Sequence, residues 1–144
     1  MLFRSGDGQL GDGSTAYKVI SFKLIMNGVK TVSAGFRHTM MVKQDDTLWA
    51  AGWNKYGQLG DGTTTNRKSF VRVIPSGVMD VSSSQAYTMA LKQDGSLWAT
   101  GYNGYGQHGD GTTATKKGFV QLIDAGVKAV SAGVLHSKIG RAHV

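Results

Sequence analysis

The chain has 144 residues, a formal net charge of +7 and no cysteine, which fits one ordinary domain and excludes a disulfide framework, a thiolate metal site and a cysteine nucleophile. Its 21 glycines are about twice the average share, whereas 17% charged residues is too few for a solvated coil. No apolar run reaches the ~18 residues that a membrane span needs.

A six-residue motif recurs at a fixed spacing along the chain. It reads Gly-Gln-Leu-Gly-Asp-Gly at 8–13 and 57–62 and Gly-Gln-His-Gly-Asp-Gly at 106–111, so the period is 49 residues. Residues 8–52 and 57–101 share 21 identities without a gap. A tandem repeat of one structural unit is therefore predicted. The predicted repeat spans are about 4–52, 53–101 and a partial 102–138.

Each unit is predicted to contain four short β-strands. In the second unit the β-rich runs are 70–74, Val78–Ser83, Tyr87–Lys92 and Leu97–Gly101. Asp94-Gly95 favours a hairpin turn between the last two, because such a turn needs positive φ. No segment has a capped helical periodicity. Four strands in ~50 residues are typical of a propeller blade, so the predicted fold is all-β, a partial β-propeller of about three four-stranded blades.

Three motifs in a fixed order give the repeat a family resemblance. Residues 52–63 read Gly-Trp-Asn-Lys-Tyr-Gly-Gln-Leu-Gly-Asp-Gly-Thr, residues 29–39 read Val-Lys-Thr-Val-Ser-Ala-Gly-Phe-Arg-His-Thr, and Leu48-Trp49 follows. The pattern resembles the regulator of chromosome condensation repeat over about residues 8–137. The resemblance implies a seven-bladed propeller, and the short units without insertions are more similar to bacterial members than to the eukaryotic exchange factor.

The two ends of the chain depart from the repeat. Residues 1–7 do not keep its register, and Gly140 falls at a position that holds Leu91 in the preceding unit. Residues 139–144 match what one frame of a common sequencing adapter would encode. We therefore predict that residues 1–138 are the propeller portion of a longer protein, that 139–144 are a non-native tail, and that the isolated chain oligomerises or is marginally stable because its terminal blades leave strand edges uncovered.

The Gly-rich loops lack the features of a phosphate or calcium site. No Gly-Lys-Ser/Thr and no capped helix follows them, and the alternating aspartates of a calcium loop are missing. Tight left-handed turns closed by aspartate side chains are the favoured interpretation, with no metal and no cofactor. The predicted structural turn residues are Gly57, Gly60, Asp61, Gly62, Gly106, Gly109, Asp110 and Gly111.

The histidines are interpreted as structural residues. His38, Tyr87 and His136 share one repeat position, which predicts a semi-buried ring that hydrogen-bonds within its own blade. His108 takes the place of Leu59 and is predicted to be a packing variant. No histidine has a hydroxyl and a carboxylate partner in a recognisable motif, so the chain is predicted to be non-catalytic.

Two repeated side-chain sets are candidates for a contact surface. Trp49 and Trp98 belong to neither set, because their place in repeated strands predicts that they are core residues. One set is aromatic and flanks the start of each Gly-rich loop, where rings give contact area at low entropy cost. The other is a basic row near the end of each loop. The alternatives are packing over neighbouring blades for the rings and simple solvation for the charges. The predicted partner-binding residues are Trp53, Tyr56, Tyr102, Tyr105, Lys18, Arg67, Lys68, Lys116 and Lys117.

The predicted function is a non-catalytic propeller module that binds a protein partner through one loop face. The resemblance implies two alternatives. One is guanine-nucleotide exchange with chromatin binding, and the other is inhibition of an enzyme, as in the β-lactamase-inhibitory members that bind with aromatic side chains. A nucleic acid is weakly supported, because the basic row has no base-reading residues interleaved with it. The resemblance to bacterial members suggests a secreted or cell-surface protein, and the location stays open.

Overall fold

The computed structural model describes residue 11, residues 25–133 and residues 137–141. These residues form ten β-strands: β1 Val29–Ala34, β2 His38–Lys43, β3 Leu48–Gly52, β4 Arg67–Ile74, β5 Val78–Ser83, β6 Tyr87–Lys92, β7 Leu97–Gly101, β8 Lys116–Ile123, β9 Val127–Ala132 and β10 Ser137–Arg141. Within the same residues there is no helix of the length and apolarity that crossing a membrane requires.

The strands form three antiparallel sheets, which we number as blades. Blade 1 has the order β1-β2-β3-β4, blade 2 the order β5-β6-β7-β8, and β9 pairs with β10 in blade 3. The first strand of blade 2 contacts β1 and β2, and the first strand of blade 3 contacts β5 and β6. Successive sheets therefore stack face to face. This is a partial β-propeller, as the tandem repeat predicts.

The sequence grouping of the strands is wrong at one point. The run 70–74 was predicted to open the second unit, but it lies in β4, which pairs with β3 and completes blade 1. Strand β8 closes blade 2 in the same way. The Gly-rich loop, which seemed to separate two units, therefore lies inside a blade. A repeat period fixes the length of the unit but not the point at which a sheet begins, because every starting point gives the same spacing.

The hydrophobic core lies between blades. Leu48 and Ala50 of β3 point from blade 1 towards blade 2, and one blade later Leu97 and Ala99 of β7 point in the same way towards blade 3. The cluster between blades 1 and 2 consists of Met40, Val42, Leu48, Ala50, Leu59, Ile74, Val78, Val81 and Ala90. The cluster between blades 2 and 3 consists of Tyr87, Met89, Leu91, Leu97, Ala99 and Val127.

The prediction that Trp49 and Trp98 are core residues is wrong. Both are half-buried, because the pleat turns them away from the face that Leu48 and Leu97 bury. Their indole N–H groups donate to Thr47 Oγ1 at 2.8 Å and to Ser96 Oγ at 2.9 Å. Lys43 Nζ lies 5.4 Å from the Trp49 ring centroid, and Lys92 Nζ lies 5.0 Å from that of Trp98. The two rings therefore lie at the surface of their blades, each beside a lysine of the adjacent strand.

The predicted Asp94-Gly95 hairpin is present and also ties blade 2 to blade 3. Gly95 has φ +82°, and its N–H donates to the Lys92 carbonyl at 3.0 Å while its own carbonyl accepts from the Val127 N–H at 3.0 Å. Asp46 takes the equivalent place in blade 1 with φ +62°, which aspartate tolerates better than most residues. Each hairpin thus holds the first residue of the following blade.

Strand β10 includes three residues that we set apart from the repeats on sequence grounds. Ile139 pairs with Val130 and Gly140 with Ala129, which is the register that Leu91 and Asp80 keep in blade 2. The backbone pairing shows only where these residues lie in blade 3. That they are not part of the natural protein remains a prediction.

Serine side chains on the first strands of blades 1 and 2 hold neighbouring blades in register. Ser33 Oγ accepts from the Ser83 N–H at 2.8 Å, and Ser82 Oγ accepts from the Ala132 N–H at 2.9 Å. Each hydroxyl therefore satisfies a backbone donor of the following blade, at positions one period apart. A donor of this kind would otherwise lack a partner in the contact between sheets.

Ser82→Ala is expected to lower the free energy of unfolding by about 1 kcal/mol, because a half-buried backbone N–H loses its acceptor. Urea denaturation measures the change. Ser131 is the matched control, since it occupies the same repeat position, is exposed, and makes no side-chain hydrogen bond to any described residue. Ser131→Ala should stay within about 0.5 kcal/mol of the wild type. Equal losses in the two variants would contradict the role of the Ser82 bond.

Candidate protein-interaction face

A buried asparagine organises each Gly-rich loop. The Asn54 amide donates to Asp61 Oδ1 at 3.1 Å and to the carbonyls of Thr63 and Thr65 at 3.0 Å each. Its side-chain oxygen accepts from the Leu59 N–H at 3.0 Å. Asn103 repeats most of this pattern in blade 2. Sequence reasoning noted these asparagines only as neighbours of the aromatic residues, although their exact repetition next to each loop was the available signal.

The same loops hold the backbone of the tyrosines. Gln58 Oε1 accepts from the Tyr56 N–H at 3.0 Å, and Gln107 Oε1 accepts from the Tyr105 N–H at 2.9 Å. Both glutamine side chains are buried. Each loop therefore presents its ring from a backbone fixed by side-chain hydrogen bonds, which lowers the entropy cost of binding a partner.

The Gly-rich loop of blade 1 lies directly against blade 2. The Gly62 N–H donates to the Lys117 carbonyl at 3.0 Å, and the Gly57 carbonyl accepts from Thr100 Oγ1 at 2.7 Å. A Cβ at Gly57 would overlap the Cα of Lys117, and one at Gly60 would overlap the ring of Phe119. Gly57, Gly60, Gly62, Gly106, Gly109 and Gly111 all have φ between +70° and +81°.

The two loop aspartates cap their turns. Asp61 Oδ1 accepts from the Thr63 N–H at 2.9 Å, and Asp110 Oδ1 accepts from the Thr112 N–H at 2.9 Å. Burial raises the pKa of Asp61, but hydrogen bonds from Thr63, Arg67 and Asn54 outweigh it, so the net pKa is lowered. Asp61 is therefore ionised at neutral pH.

The aromatic set forms a continuous row across blades 1 and 2. Ring centroids are 5.5 Å apart for Trp53 and Tyr56, 5.1 Å for Tyr56 and Tyr102, and 5.9 Å for Tyr102 and Tyr105. The interplanar angles of 84°, 60° and 68° make each contact edge-to-face, which is a favoured geometry for aromatic pairs. Tyr56 and Tyr102 join the two loops, so the row crosses the boundary between blades.

A groove runs beside this aromatic row. It has a volume of about 270 Å³ and is lined by Phe36, Arg37, Trp53, Tyr56, Gln85, Ala86 and Tyr102. Phe36 is 64% exposed and Tyr105 is 67% exposed. Sequence reasoning missed Phe36, Arg37 and Gln85, because the β1–β2 and β5–β6 turns differ from repeat to repeat and so gave no periodic signal.

Two of the four described members of the basic set, Arg67 and Lys116, lie beside loop aspartates. Arg67 Nε lies 2.7 Å from Asp61 Oδ2, and Lys116 Nζ lies 4.0 Å from Asp110 Oδ2. In each loop, the aspartate therefore lies beside the cation of the same loop. Lys68 and Lys117 are exposed. Lys18 lies outside the described residues.

The prediction that His38 and Tyr87 bond within their own blades is wrong for His38, and for Tyr87 it covers only the hydrogen bond with Ser84 of the same blade. His38 is fully buried, and its Nε2 lies 2.9 Å from Thr88 Oγ1 of blade 2. The Tyr87 hydroxyl donates to the Gly133 carbonyl, which follows β9 of blade 3, at 2.6 Å. Both polar tips therefore reach the following blade. His136, the third member of this position, lies outside the described residues.

Burial dominates the chemistry of the two described imidazoles. It lowers the pKa of His38 to about 4. His108 is also buried, with its ring 5.8 Å from that of Tyr87, and burial lowers its pKa to about 4, opposed by Asp110 and assisted by Lys116. Neither ring nitrogen of His108 finds a hydrogen-bond partner among the described residues. The packing position that His108 shares with Leu59 thus holds a neutral imidazole.

Comparisons with known proteins agree with this architecture. The chain matches a family model described as regulator of chromosome condensation (RCC1) repeat at residues 29–58 and 79–107, and a second model with that description at residues 45–91. Together the matches span 29–107, more than half of the chain. A search of curated protein sequences gives no match.

Solved structures give the same fold. The chain is similar to human WBSCR16, with a TM-score of 0.82 at 20% identity over 96% of this chain and 38% of that one. It is also similar to Prp20p from Saccharomyces cerevisiae, a protein studied for its binding to Gsp1p and histones, with a TM-score of 0.78 at 17% identity over 95% and 38%. Yeast RCC1 (Prp20) bound to Kap60 matches with a TM-score of 0.62 at 20% identity over 78% and 30%. The chain thus spans less than two fifths of the length of these proteins, and at such identities the likeness concerns the fold.

Proposed function

The chain belongs to the regulator of chromosome condensation repeat family, and from that premise we propose that it is a non-catalytic module that binds a protein partner on the loop face carrying Trp53, Tyr56, Tyr102 and Tyr105. The continuous edge-to-face row of these rings across two blades is the observation that carries the proposal. Tyr105 is exposed and the other three rings are half-buried, and tryptophan and tyrosine are among the side chains that dominate protein interfaces. Fixed loops add to this, because little order has to be gained on binding.

A catalytic role is disfavoured by the chemistry of the described residues. Among the described residues His38 and Thr88 pair a base with a hydroxyl, but both are fully buried and Thr88 Oγ1 also donates to the Gln58 carbonyl at 2.9 Å. A nucleophile needs access to its substrate. The described residues also contain no cluster of three or more histidine or acidic side chains that could hold a metal ion.

Trp53→Ala and Tyr102→Ala are each expected to reduce partner capture at least tenfold (about 1.4 kcal/mol), since each removes a ring of the aromatic row that also lines the groove. The measurement is the amount of each protein that the immobilised chain retains from a lysate of its source cells, quantified by mass spectrometry. Trp49→Ala is the matched control, because it removes a half-buried indole from the opposite end of β3 and should change capture less than about twofold. Unchanged capture by the Trp53 and Tyr102 variants would contradict the proposal.

The identity of the captured protein separates the finer possibilities. Prp20p is described for its binding to Gsp1p and histones, so recovery of a small GTPase or of histones would favour exchange-factor activity with chromatin binding. Recovery of a hydrolase whose activity falls on addition of the chain would favour an inhibitory propeller. The aromatic row is compatible with each of these partners and defines the surface that they would share.

A further inference from the structure

Two asparagines in the chain, Asn27 and Asn103, are followed directly by glycine. In such a pair the backbone nitrogen of the glycine can attack the side-chain amide carbon of the asparagine, because the two groups belong to neighbouring residues and close a five-membered ring. Glycine has no Cβ to hinder the approach. Asparagine is accordingly a thermolabile residue, and its surroundings in the fold decide whether the reaction proceeds.

Asn27 lies in the exposed turn that precedes β1. Both Asn27 and Gly28 are exposed. The Asn27 side chain, the Asn27 carbonyl and the Gly28 N–H make no hydrogen bond to any described residue. Gly28 has φ +68°, and the nearest described atom to a Cβ there would be Lys43 Cε at 4.0 Å. Rotation of the Asn27 side chain towards the Gly28 nitrogen therefore breaks no hydrogen bond with the described part of the chain.

Asn103 is an internal control, because the same dipeptide is held inside the Gly-rich loop of blade 2. Its side chain is fully buried. The side-chain oxygen accepts from the His108 N–H at 2.9 Å, and the amide donates to Asp110 Oδ1 at 3.2 Å and to the Thr112 carbonyl at 3.0 Å. These bonds must open before the Gly104 nitrogen reaches the side-chain carbon, so only the small open population reacts.

We propose that Asn27 is a modification site at which the folded chain deamidates itself without an enzyme, and that the isoaspartate formed there weakens the start of β1. The Gly28 nitrogen gives its proton to water or hydroxide and bonds to the Asn27 side-chain carbon, and the C–N bond of the side-chain amide breaks to release ammonia. Water then opens the cyclic imide. Opening at the side-chain carbonyl leaves aspartate, and opening at the main-chain carbonyl leaves isoaspartate, in which the backbone runs through the side chain.

The site adjoins a hydrogen bond that blades 1 and 2 share. The Gly28 carbonyl accepts from the Gln44 N–H at 2.8 Å, and one period on the Gly77 carbonyl accepts from the Gln93 N–H at 2.8 Å. Isoaspartate adds one carbon to the backbone directly before Gly28, which displaces this carbonyl and weakens the bond. Aspartate keeps the ordinary backbone and leaves the bond in place. Blade 2 has Ser76 at the equivalent position, so it has no reactive pair there.

The test incubates the whole chain at mildly alkaline pH, both folded and in urea, and follows the two sites over time by mass spectrometry of tryptic peptides. In the folded chain Asn27 should deamidate at least about tenfold faster than Asn103. In urea, where both side chains are free, the two rates should agree within about threefold. An endoproteinase that cleaves before aspartate but not before isoaspartate should show that both products form at Asn27.

Asn27→Asp is the matched variant, because it has the charge of the product on an ordinary backbone. The deamidated fraction has lost one unit of the formal net charge of +7, so cation exchange separates it from the unreacted chain. This fraction should unfold at a lower urea concentration than the Asn27→Asp variant, because only isoaspartate displaces the Gly28 carbonyl.

Reaction of Asn27 that is no faster than that of Asn103 in the folded chain, or that occurs only in urea, would overturn the assignment of the site. Aspartate as the sole product would rule out the cyclic imide and with it the proposed route. A deamidated fraction that unfolds together with the Asn27→Asp variant would overturn the effect on β1.

Discussion

Gly57→Ala is expected to lower the free energy of unfolding by about 3 kcal/mol, whereas Gly106→Ala, one period on, should lower it by only about 1 kcal/mol. Both glycines have positive φ, +77° and +70°, so both variants force alanine into the left-handed region at a similar cost. The difference between the two variants comes from their surroundings.

The surroundings of Gly57 leave no room for a methyl group. A Cβ there would overlap the Cα of Lys117 and lie 2.8 Å from the Lys116 carbonyl, and both belong to the backbone of β8. A strand backbone cannot rotate aside, so relief requires the loop and the blade to separate, which also strains the bond from Thr100 to the Gly57 carbonyl. At Gly106 the nearest atom of the described residues, the Thr112 carbonyl oxygen, would be 3.9 Å away. Overpacking of a close contact costs about 1–3 kcal/mol.

Urea denaturation of the two variants measures the contrast, with the slope of unfolding free energy against urea checked for constancy. Equal losses would mean that backbone strain alone explains the role of the glycines, and that the loop of blade 1 does not depend on its contact with blade 2. A loss about 2 kcal/mol larger in Gly57→Ala than in Gly106→Ala would support the close contact between loop and blade that positions Tyr56 beside Tyr102.

The fold was predictable from the sequence because its signals are local and repeated. The strands Val78–Ser83, Tyr87–Lys92 and Leu97–Gly101 were predicted with the bounds that the structure has, since alternation and turn residues act over a few positions. The strand partner of 70–74 was not predictable in this way. Pairing is a non-local property, and a run that follows one loop and precedes another can join either sheet.

The candidate site was predictable only in part, for a similar reason. Periodicity found Trp53 and Tyr56, because they recur with each loop. It could not find Arg37, which completes the groove from a turn that does not repeat, or foresee that Asp61 would pair with Arg67. Charge counts along a sequence do not show which charges compensate each other in space.

The free energy of unfolding is expected to fall by about 4 kcal/mol between pH 7.5 and pH 5, about 2 kcal/mol for each of His38 and His108. Burial lowers the pKa of both from 6.5 to about 4, so between those values the unfolded chain binds more protons than the folded one. The contribution of neutral imidazole is therefore complete above pH 6.5, decreases as the pH falls below it, and levels off below pH 4. The aspartates with lowered pKa, such as Asp61, act only below their ordinary value of 3.8.

His108→Leu isolates one half of this dependence, which matters because His136 and His143 lie outside the described residues. Leucine is the residue of the equivalent position, where Leu59 is fully buried in the core between blades 1 and 2. The variant should be more stable than the wild type by about 1–2 kcal/mol at pH 7.5, since it removes two buried nitrogens that have no partner among the described residues. It should also lose about 2 kcal/mol less on going to pH 5. Thermal and urea unfolding at both pH values measure these differences, and a variant with the same pH dependence as the wild type would show that His108 is not held neutral by its burial between the blades.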